Sequence, residues 1–193
     1  MAPPRKHETD AILDATRALV LAEGPRAASV AAIAKVSGAP AGTLYHRFGN
    51  RNGVLTAAWL RALERFQSRA MAATGDSPLE AAVAMGVAAV EFARAGPADA
   101  RLLLTIRPSD LLDGAPDAEF TATLTEMNTP LVERLRELAL GIFGDDGART
   151  MDAMSRAVVD LPYAVVRRHA NDAELPDWME EDLADAIRKL LVR

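Results

Sequence analysis

The side chains best suited to binding another molecule are concentrated in one short stretch, residues 41–48. Thr43 and Tyr45 carry hydroxyls that can reach phosphate oxygens, and His46 and Arg47 add further hydrogen-bond donors. Such groups position a protein on the phosphate backbone of DNA, whereas contacts with base edges read its sequence. The stretch therefore predicts a surface that binds DNA.

Two short helices must position these side chains. In the first, Val30, Ile33 and Ala34 recur at the i, i+3, i+4 spacing of a helix that buries one stripe. Ser29 precedes the stripe, where its hydroxyl can cap the helix, and Gly38 follows it as a helix stop. We therefore predict that this helix begins after Ser29 and ends before the glycine.

The second helix is predicted over residues 41–48, just after Pro40, with Leu44 and Phe48 four apart on one face. Two short helices joined by a turn that contains glycine are typical of the helix-turn-helix motif, whose second helix enters the major groove of DNA. A longer N-terminal helix, which ends at Gly24, is expected to hold the two short helices at a fixed angle.

Charge is distributed unevenly along the 193 residues. Residues 1–51 contain seven Lys or Arg against four Asp or Glu, whereas the remainder contains 15 against 23. The formal charge of the whole chain is −5. A basic N-terminal part followed by an acidic part indicates that only the N-terminal part approaches a polyanion such as DNA.

The sequence does not support an enzyme or a metalloprotein. It has no cysteine, which excludes disulfides and thiolate metal sites, and its three histidines lack the spacing of metal ligands. It also has no glycine-rich phosphate loop, no nucleophile elbow and no HExxH motif. We predict a protein that is not an enzyme and that binds no metal and no cofactor.

The N-terminus lacks the apolar core of a signal peptide, and no apolar run approaches the roughly 20 residues that cross a bilayer. We therefore expect a soluble cytoplasmic protein that does not contact a membrane.

The rest of the chain has helical periodicity and no strand pattern. A long helix is predicted over about 51–73, and Pro130 falls inside a helical run over 117–143, where a kink or a break is expected. The predicted fold class is all-α, with about nine helices. A three-helix helix-turn-helix domain at 1–50 precedes a C-terminal helical bundle at 51–193.

The N-terminal quarter of the chain resembles the TetR family of one-component transcriptional repressors. The resemblance covers roughly Arg5 to Leu55 and is dense and ordered. It is carried by Ile33-Ala34, Gly38, Gly42-Thr43-Leu44-Tyr45, Phe48, Asn50-Arg51 and Leu55.

The resemblance implies roles for individual residues. Thr43, Tyr45 and Arg51 match positions that contact phosphate, and Arg47 is assigned either to DNA or to a salt bridge. The positions that face bases or sugars are Ala41, Gly42 and His46. The full predicted DNA-binding set is Ser29, Ala41, Gly42, Thr43, Tyr45, His46, Arg47 and Arg51. Because the early part of this helix has no Gln, Asn or Lys, we expect DNA shape to supply part of the specificity.

Two positions depart from the family pattern. Pro40 stands where the family commonly has a small hydroxyl residue, which removes a possible phosphate contact. Gly53 stands where the family commonly has an acidic residue. Without an acidic side chain at position 53 the next helix lacks a capping-box partner, which is expected to weaken its first turn.

Two further surfaces are predicted in the C-terminal part. Apolar residues from different helices either fill a core or, as the resemblance favours, line a cavity for a small apolar or amphipathic effector. They are Phe66, Met85, Phe92, Ile106, Leu124, Met127 and Val158. The last two helices carry apolar stripes that either pack in the core or pair with a second subunit in a homodimer, as the resemblance implies. The residues predicted at that interface are Leu161, Val165, Leu183, Ile187 and Leu190.

The function predicted from the sequence is a ligand-responsive transcriptional regulator. It would be a repressor that a small-molecule effector releases from a palindromic operator in double-stranded DNA. A constitutive DNA-binding or partner-binding helical protein without an effector is the main alternative. A helical enzyme that retained the N-terminal domain is another, which a cavity lined by ionisable groups would favour.

Overall fold

The computed structural model describes residues 5–107, 118–172 and 174–192, and these residues form an all-helical fold without a strand. This confirms the predicted fold class. The helices are α1 (Arg5–Glu23), α2 (Val30–Ser37), α3 (Ala41–Phe48), α4 (Arg51–Ala72), α5 (Pro78–Ala95), α6 (Pro97–Thr105), α7 (Ala118–Phe143), α8 (Ala148–Ser155), α9 (Leu161–Arg168) and α10 (Met179–Leu191). A short 3-10 helix, Pro25–Ala27, precedes α2.

Side-chain caps define the starts of three helices. The Ser29 hydroxyl accepts the N–H of Ala32 at 3.1 Å, and the Ser77 hydroxyl accepts the N–H of Glu80 at 3.2 Å. At the start of α4 the Asn50 side-chain oxygen accepts the N–H of Gly53 at 2.9 Å. Each cap pairs an N–H that has no partner inside its helix and stabilises the helix by about 1 kcal/mol. The cap predicted at Ser29 is confirmed.

A π-helical segment, Arg156–Asp160, joins α8 to α9, so the described residues form nine separate helical rods. At its end the N–H of Leu161 donates to the carbonyl of Arg156, five residues earlier. Pro162 follows, and its missing N–H makes the regular helical pattern impossible at that point. In α7, by contrast, the helix continues through Pro130 without the break that the sequence allowed.

The chain groups into two compact units. The first comprises Met1–Leu63 with Ala98–Thr121, and the second comprises Glu64–Pro97 with Ala122–Arg193. The first unit is larger than residues 1–50 because the start of α4 and most of α6 pack with α1 to α3. The functional limits predicted from the sequence, 1–50 and 51–193, stay a prediction.

The first unit has one apolar core. Ile12, Ile33, Leu44 and Val54, from α1, α2, α3 and α4, are each 0% exposed. Within this core the Thr16 hydroxyl donates to the Ile12 carbonyl at 2.8 Å, so its burial leaves no donor unpaired. The scaffold role predicted for α1 agrees with its packing against α2, which in turn packs against α3.

Ion pairs connect α6 and α4 to α1 in the same unit. The buried carboxylate of Asp99 pairs with the guanidinium of Arg17. Arg61 pairs with Asp10 at 3.0 Å and with Asp14 at 2.5 Å. These contacts hold two helices of the first unit against the helix that supports the helix-turn-helix motif.

The second unit is organised around α5, which packs against α9 and α10. Gly86 of α5 has no side chain, and an ideal Cβ there would lie 2.4 Å from Ile187 Cδ1 of α10. The end of the Ile187 side chain therefore occupies the space that a side chain at position 86 would need. At the edge of this contact Arg188 of α10 donates to both carboxylate oxygens of Glu80, at 3.0 and 2.8 Å.

The Glu80–Arg188 pair predicts a pH-dependent contribution to stability. The hydrogen bond from Arg188 lowers the pKa of Glu80 below its ordinary value of 4.5. The pair therefore stabilises the fold above that value, and the contribution is lost as the pH falls through the lowered pKa. We expect Glu80→Gln to have a lower melting temperature than the wild type at pH 7, and the difference to shrink in acid.

Thermal melts over a pH series test this expectation. Asp152→Asn, which breaks an exposed pair with Arg156 inside one helical rod, is the matched control. A Glu80→Gln difference that stays constant from neutral to acid pH would show that the carboxylate charge contributes nothing.

Candidate DNA-binding surface

Helix α3 presents one buried and one exposed face. Leu44 is 0% exposed and anchors the helix in the core of the first unit. On the other side Tyr45 is 56% exposed, and His46 is also exposed. The first residues of the helix, Ala41 and Gly42, are exposed too, so a second molecule can approach the backbone there. The predicted contact face of the helix is thus open to solvent.

Two other members of the predicted set lie at the edges of this face. Ser29 is exposed, and its hydroxyl caps α2 by accepting the N–H of Ala32. Thr43 is half-buried, and its backbone N–H donates to the Pro40 carbonyl at 2.9 Å. Both residues have local structural roles in addition to the contacts predicted for them.

The Arg51 guanidinium lies against the chain that leads into α2. Its Nε donates to the Ala28 carbonyl at 3.0 Å, and its Nη2 donates to the Pro25 carbonyl. A third bond runs from Nη1 to the side-chain oxygen of Asn52 at 3.1 Å. The phosphate contact implied by the family resemblance stays a prediction for Arg51. In this structure the side chain joins α4 to the start of the helix-turn-helix motif.

Arg47 also contacts the scaffold. Its Nη1 donates to the hydroxyl of Thr9 in α1 at 2.9 Å. The sequence predicts either DNA or a salt bridge as the partner of Arg47, and both alternatives stay predictions. These partners could not be read from the sequence, because residues 9, 25 and 28 lie more than 20 positions from the arginines that they bind.

The residues predicted to line an effector cavity are divided between the two units. Ile106 belongs to the first unit and the other six to the second. Phe66 and Phe92 are neighbours, with ring centroids 5.6 Å apart. The buried members are Met85, Phe92, Ile106 and Val158, and the half-buried members are Phe66, Leu124 and Met127.

A groove of about 440 Å³ lies elsewhere in the second unit. It is bordered by the first residues of α5 and the last residues of α7 and α10. None of the seven predicted cavity residues borders it. The cavity predicted from the sequence therefore stays a prediction.

The residues predicted at a dimer interface fall into two groups. Leu183 and Ile187 are 2% and 0% exposed within this chain, so they pack in its own core, the alternative that the sequence had left open. Leu161 and Val165 are half-buried and Leu190 is 52% exposed. The three accessible side chains are the members of the predicted set that remain available to a second subunit.

The described ranges contain neither a candidate metal site nor a candidate membrane span. No group of three His, Asp or Glu side chains is placed there to hold a metal ion. None of the helices in those ranges is both long and apolar enough to span a bilayer.

The N-terminal part of the sequence matches a known family. Residues 12–58, which include α2, α3 and the first turns of α4, match the model of the family described as "Bacterial regulatory proteins, tetR family". Residues 12–58 of this chain therefore carry the sequence pattern of the TetR family. The surface formed by α2 and α3 is therefore the helix-turn-helix of a TetR-type DNA-binding fold.

Solved structures of TetR-family regulators share the fold over nearly the whole chain. A TetR family transcription regulator from Marinobacter aquaeolei VT8 aligns with a TM-score of 0.75 and 18% identity, covering 96% of this chain and 95% of its own. PfmR from Thermus thermophilus gives 0.70 and 20%, covering 100% and 97%. FadR of Bacillus halodurans, a fatty acid degradation regulator, gives 0.68 and 19%, covering 99% and 96%. No curated protein sequence matches the chain at a significant level.

The contacts of Arg51 predict that this residue stabilises the fold. Arg51→Ala leaves the carbonyls of Pro25 and Ala28 without a charged donor, and we expect the free energy of unfolding to fall by about 1–3 kcal/mol. Chemical denaturation of the purified variant measures this loss.

Lys35→Ala, an exposed substitution in α2, is the matched control and should change stability by no more than about 0.5 kcal/mol. An Arg51→Ala variant of unchanged stability but weaker DNA binding would instead place the guanidinium on phosphate.

Proposed function

We propose that this chain is a homodimeric transcriptional repressor that binds a palindromic operator and releases it when a small apolar or amphipathic effector binds. The observation that supports DNA binding most directly is the exposed face of α3, with Tyr45 and His46 in solvent and Leu44 fixed in the core. A helix held in this way can enter the major groove without rearrangement of its own fold.

Dimerisation gives the protein the two-fold symmetry that a palindromic operator matches. Leu161 and Val165 of α9 are half-buried and Leu190 of α10 is exposed, so a second copy can cover these three apolar side chains. Two-fold symmetry in the protein implies a palindromic site whose half-sites lie about one helical turn or more apart.

Release by an effector operates as a population shift. Helix α4 runs without interruption from Arg51 in the first unit to Ala72 in the second, so it is a rigid element shared by both. In our proposal the effector favours a conformation of the second unit in which α4 draws the helix-turn-helix out of register with DNA. The effector weakens DNA binding only by the difference between its affinities for the two conformations.

Fatty acids are the first effector class to test. The described members of the predicted cavity set are apolar, and the Bacillus halodurans protein with the same fold is a fatty acid degradation regulator. An apolar chain with one polar end matches the chemistry that such side chains can surround.

DNA binding is tested with fragments from upstream of the gene and its neighbours, by fluorescence anisotropy over a salt series. We expect two chains per palindrome and a log–log salt slope of roughly −7 if the dimer neutralises about eight phosphates. Tyr45→Phe removes one hydroxyl from the exposed α3 face of each subunit, and operator affinity should fall at least about a hundredfold, because the dimer loses two hydrogen bonds to charged phosphates.

Tyr163→Phe is the matched control, since it removes a hydroxyl from the chain's other tyrosine, which is 47% exposed on α9. Equal losses for the two variants, or no preference of the wild type for any fragment over random DNA, would contradict the assignment of α3 as the recognition helix.

Effector control is tested on the protein–operator complex with a panel of saturated and unsaturated fatty acids. We expect one chain-length class both to raise the melting temperature of the free protein and to release DNA, because a ligand that prefers one conformation stabilises it by mass action. DNA binding that no compound weakens, together with a melting temperature that none raises, would favour the constitutive regulator instead.

A further inference from the structure

The chain passes from α3 to α4 through a γ-turn centred on Gly49. The backbone of Gly49 has φ +74° and ψ −55°, and the N–H of Asn50 donates to the Phe48 carbonyl at 2.8 Å. A γ-turn with positive φ is rare and strained for residues other than glycine. This conformation turns the last carbonyl of the recognition helix toward the first turn of α4.

The Phe48 carbonyl lies next to Gly53, in the space that a side chain at position 53 would occupy. An ideal Cβ on Gly53 would lie 1.9 Å from the Phe48 carbonyl oxygen and 3.0 Å from its carbon. Both are backbone atoms, so no side-chain rotation can relieve the overlap. Any larger residue at position 53 must therefore move the end of α3 away from the start of α4.

The same carbonyl completes the cap of α4. Asn50 accepts the N–H of Gly53 through its side chain at 2.9 Å, which is one half of a capping box. In a full capping box, a side chain at position 53 would accept the N–H of Asn50 in return. Here the Phe48 carbonyl accepts that N–H, so the N–H of Asn50 has a partner although Gly53 has no side chain.

The first turn of α4 also contributes to the core. Val54 and Leu55, the residues after Gly53, are 0% and 2% exposed. Because these side chains are packed, whereas Phe48 at the end of α3 is only half-buried, an added Cβ would displace the end of α3 more readily than the first turn of α4. Such a displacement would move Tyr45, whose carbonyl accepts the N–H of Gly49 at 2.9 Å.

We propose that Gly53 is a positioning residue for DNA recognition: its missing Cβ lets the Phe48 carbonyl cap α4, which fixes the angle of α3. This inference rests on the function proposed above. It concerns how the recognition helix is held and not whether the chain binds DNA.

Gly53→Ala and Gly53→Glu test the proposal. In an open helical position both changes would stabilise the protein, since alanine favours helix and glutamate would build a capping box. We expect both to lower the melting temperature. At a temperature where all proteins are folded, we expect operator affinity to fall about tenfold, the equivalent of one lost specific contact. Affinity for random DNA at low salt should change little, because phosphate attraction does not depend on an exact helix angle.

Gly96→Ala is the matched control. A Cβ on Gly96 would be 3.6 Å from the Phe92 carbonyl oxygen, an ordinary van der Waals contact, and this variant should bind the operator as the wild type does. If Gly53→Ala keeps full operator affinity and melts at or above the wild-type temperature, the inference is wrong while the proposed function stands. If the wild type has no operator, the proposed function fails first.

Amide hydrogen exchange of the wild type provides a measurement that does not depend on the variants folding. The N–H of Asn50 precedes α4 and would exchange freely at an ordinary helix start. We expect it to be protected, because the Phe48 carbonyl accepts it. Rapid exchange at Asn50 in a folded protein with a protected α4 would overturn the proposal.

Discussion

The first turn of α4 fixes both helices of the helix-turn-helix motif. Arg51 reaches back to the carbonyls that precede α2, while Gly53 accommodates the carbonyl that ends α3. The two contacts lie on residues only two positions apart, and the apolar side chains that follow hold the turn in the core. The angle between α2 and α3 therefore depends on backbone carbonyls and on the groups that contact them.

A second set of contacts extends this arrangement to α6. The Asp99 carboxylate is buried and pairs with Arg17 of α1. A buried carboxylate without a partner is unfavourable by several kcal/mol, so the pair favours conformations that keep α6 beside α1. Any movement of α6 away from α1 would require the carboxylate to find water or another cation.

The sequence predicted the secondary structure of the motif well because the deciding interactions are local. The caps at Ser29 and Asn50, the stop at Gly38 and the extent of α3 each depend on residues within four positions of one another. The prediction was less complete for α7, where Pro130 was expected to kink or break the helix. The helix continues through Pro130. Proline has no N–H, so the backbone carbonyl four residues earlier has no helical donor, and because Pro130 is exposed, water can reach that carbonyl.

By itself, the sequence determined the all-helical class, the helix-turn-helix and the TetR-type pattern of residues 12–58, since periodicity, capping residues and motif spacing are properties of neighbouring residues. Only the tertiary structure decided what the arginines and Gly53 contact. Arg47 binds α1, Arg51 binds the chain before α2, and Gly53 adjoins a backbone carbonyl rather than merely lacking a capping side chain. The tertiary structure also buried Leu183 and Ile187 in the core of their own chain. An apolar stripe indicates that a face is covered, but what covers it depends on how distant segments pack.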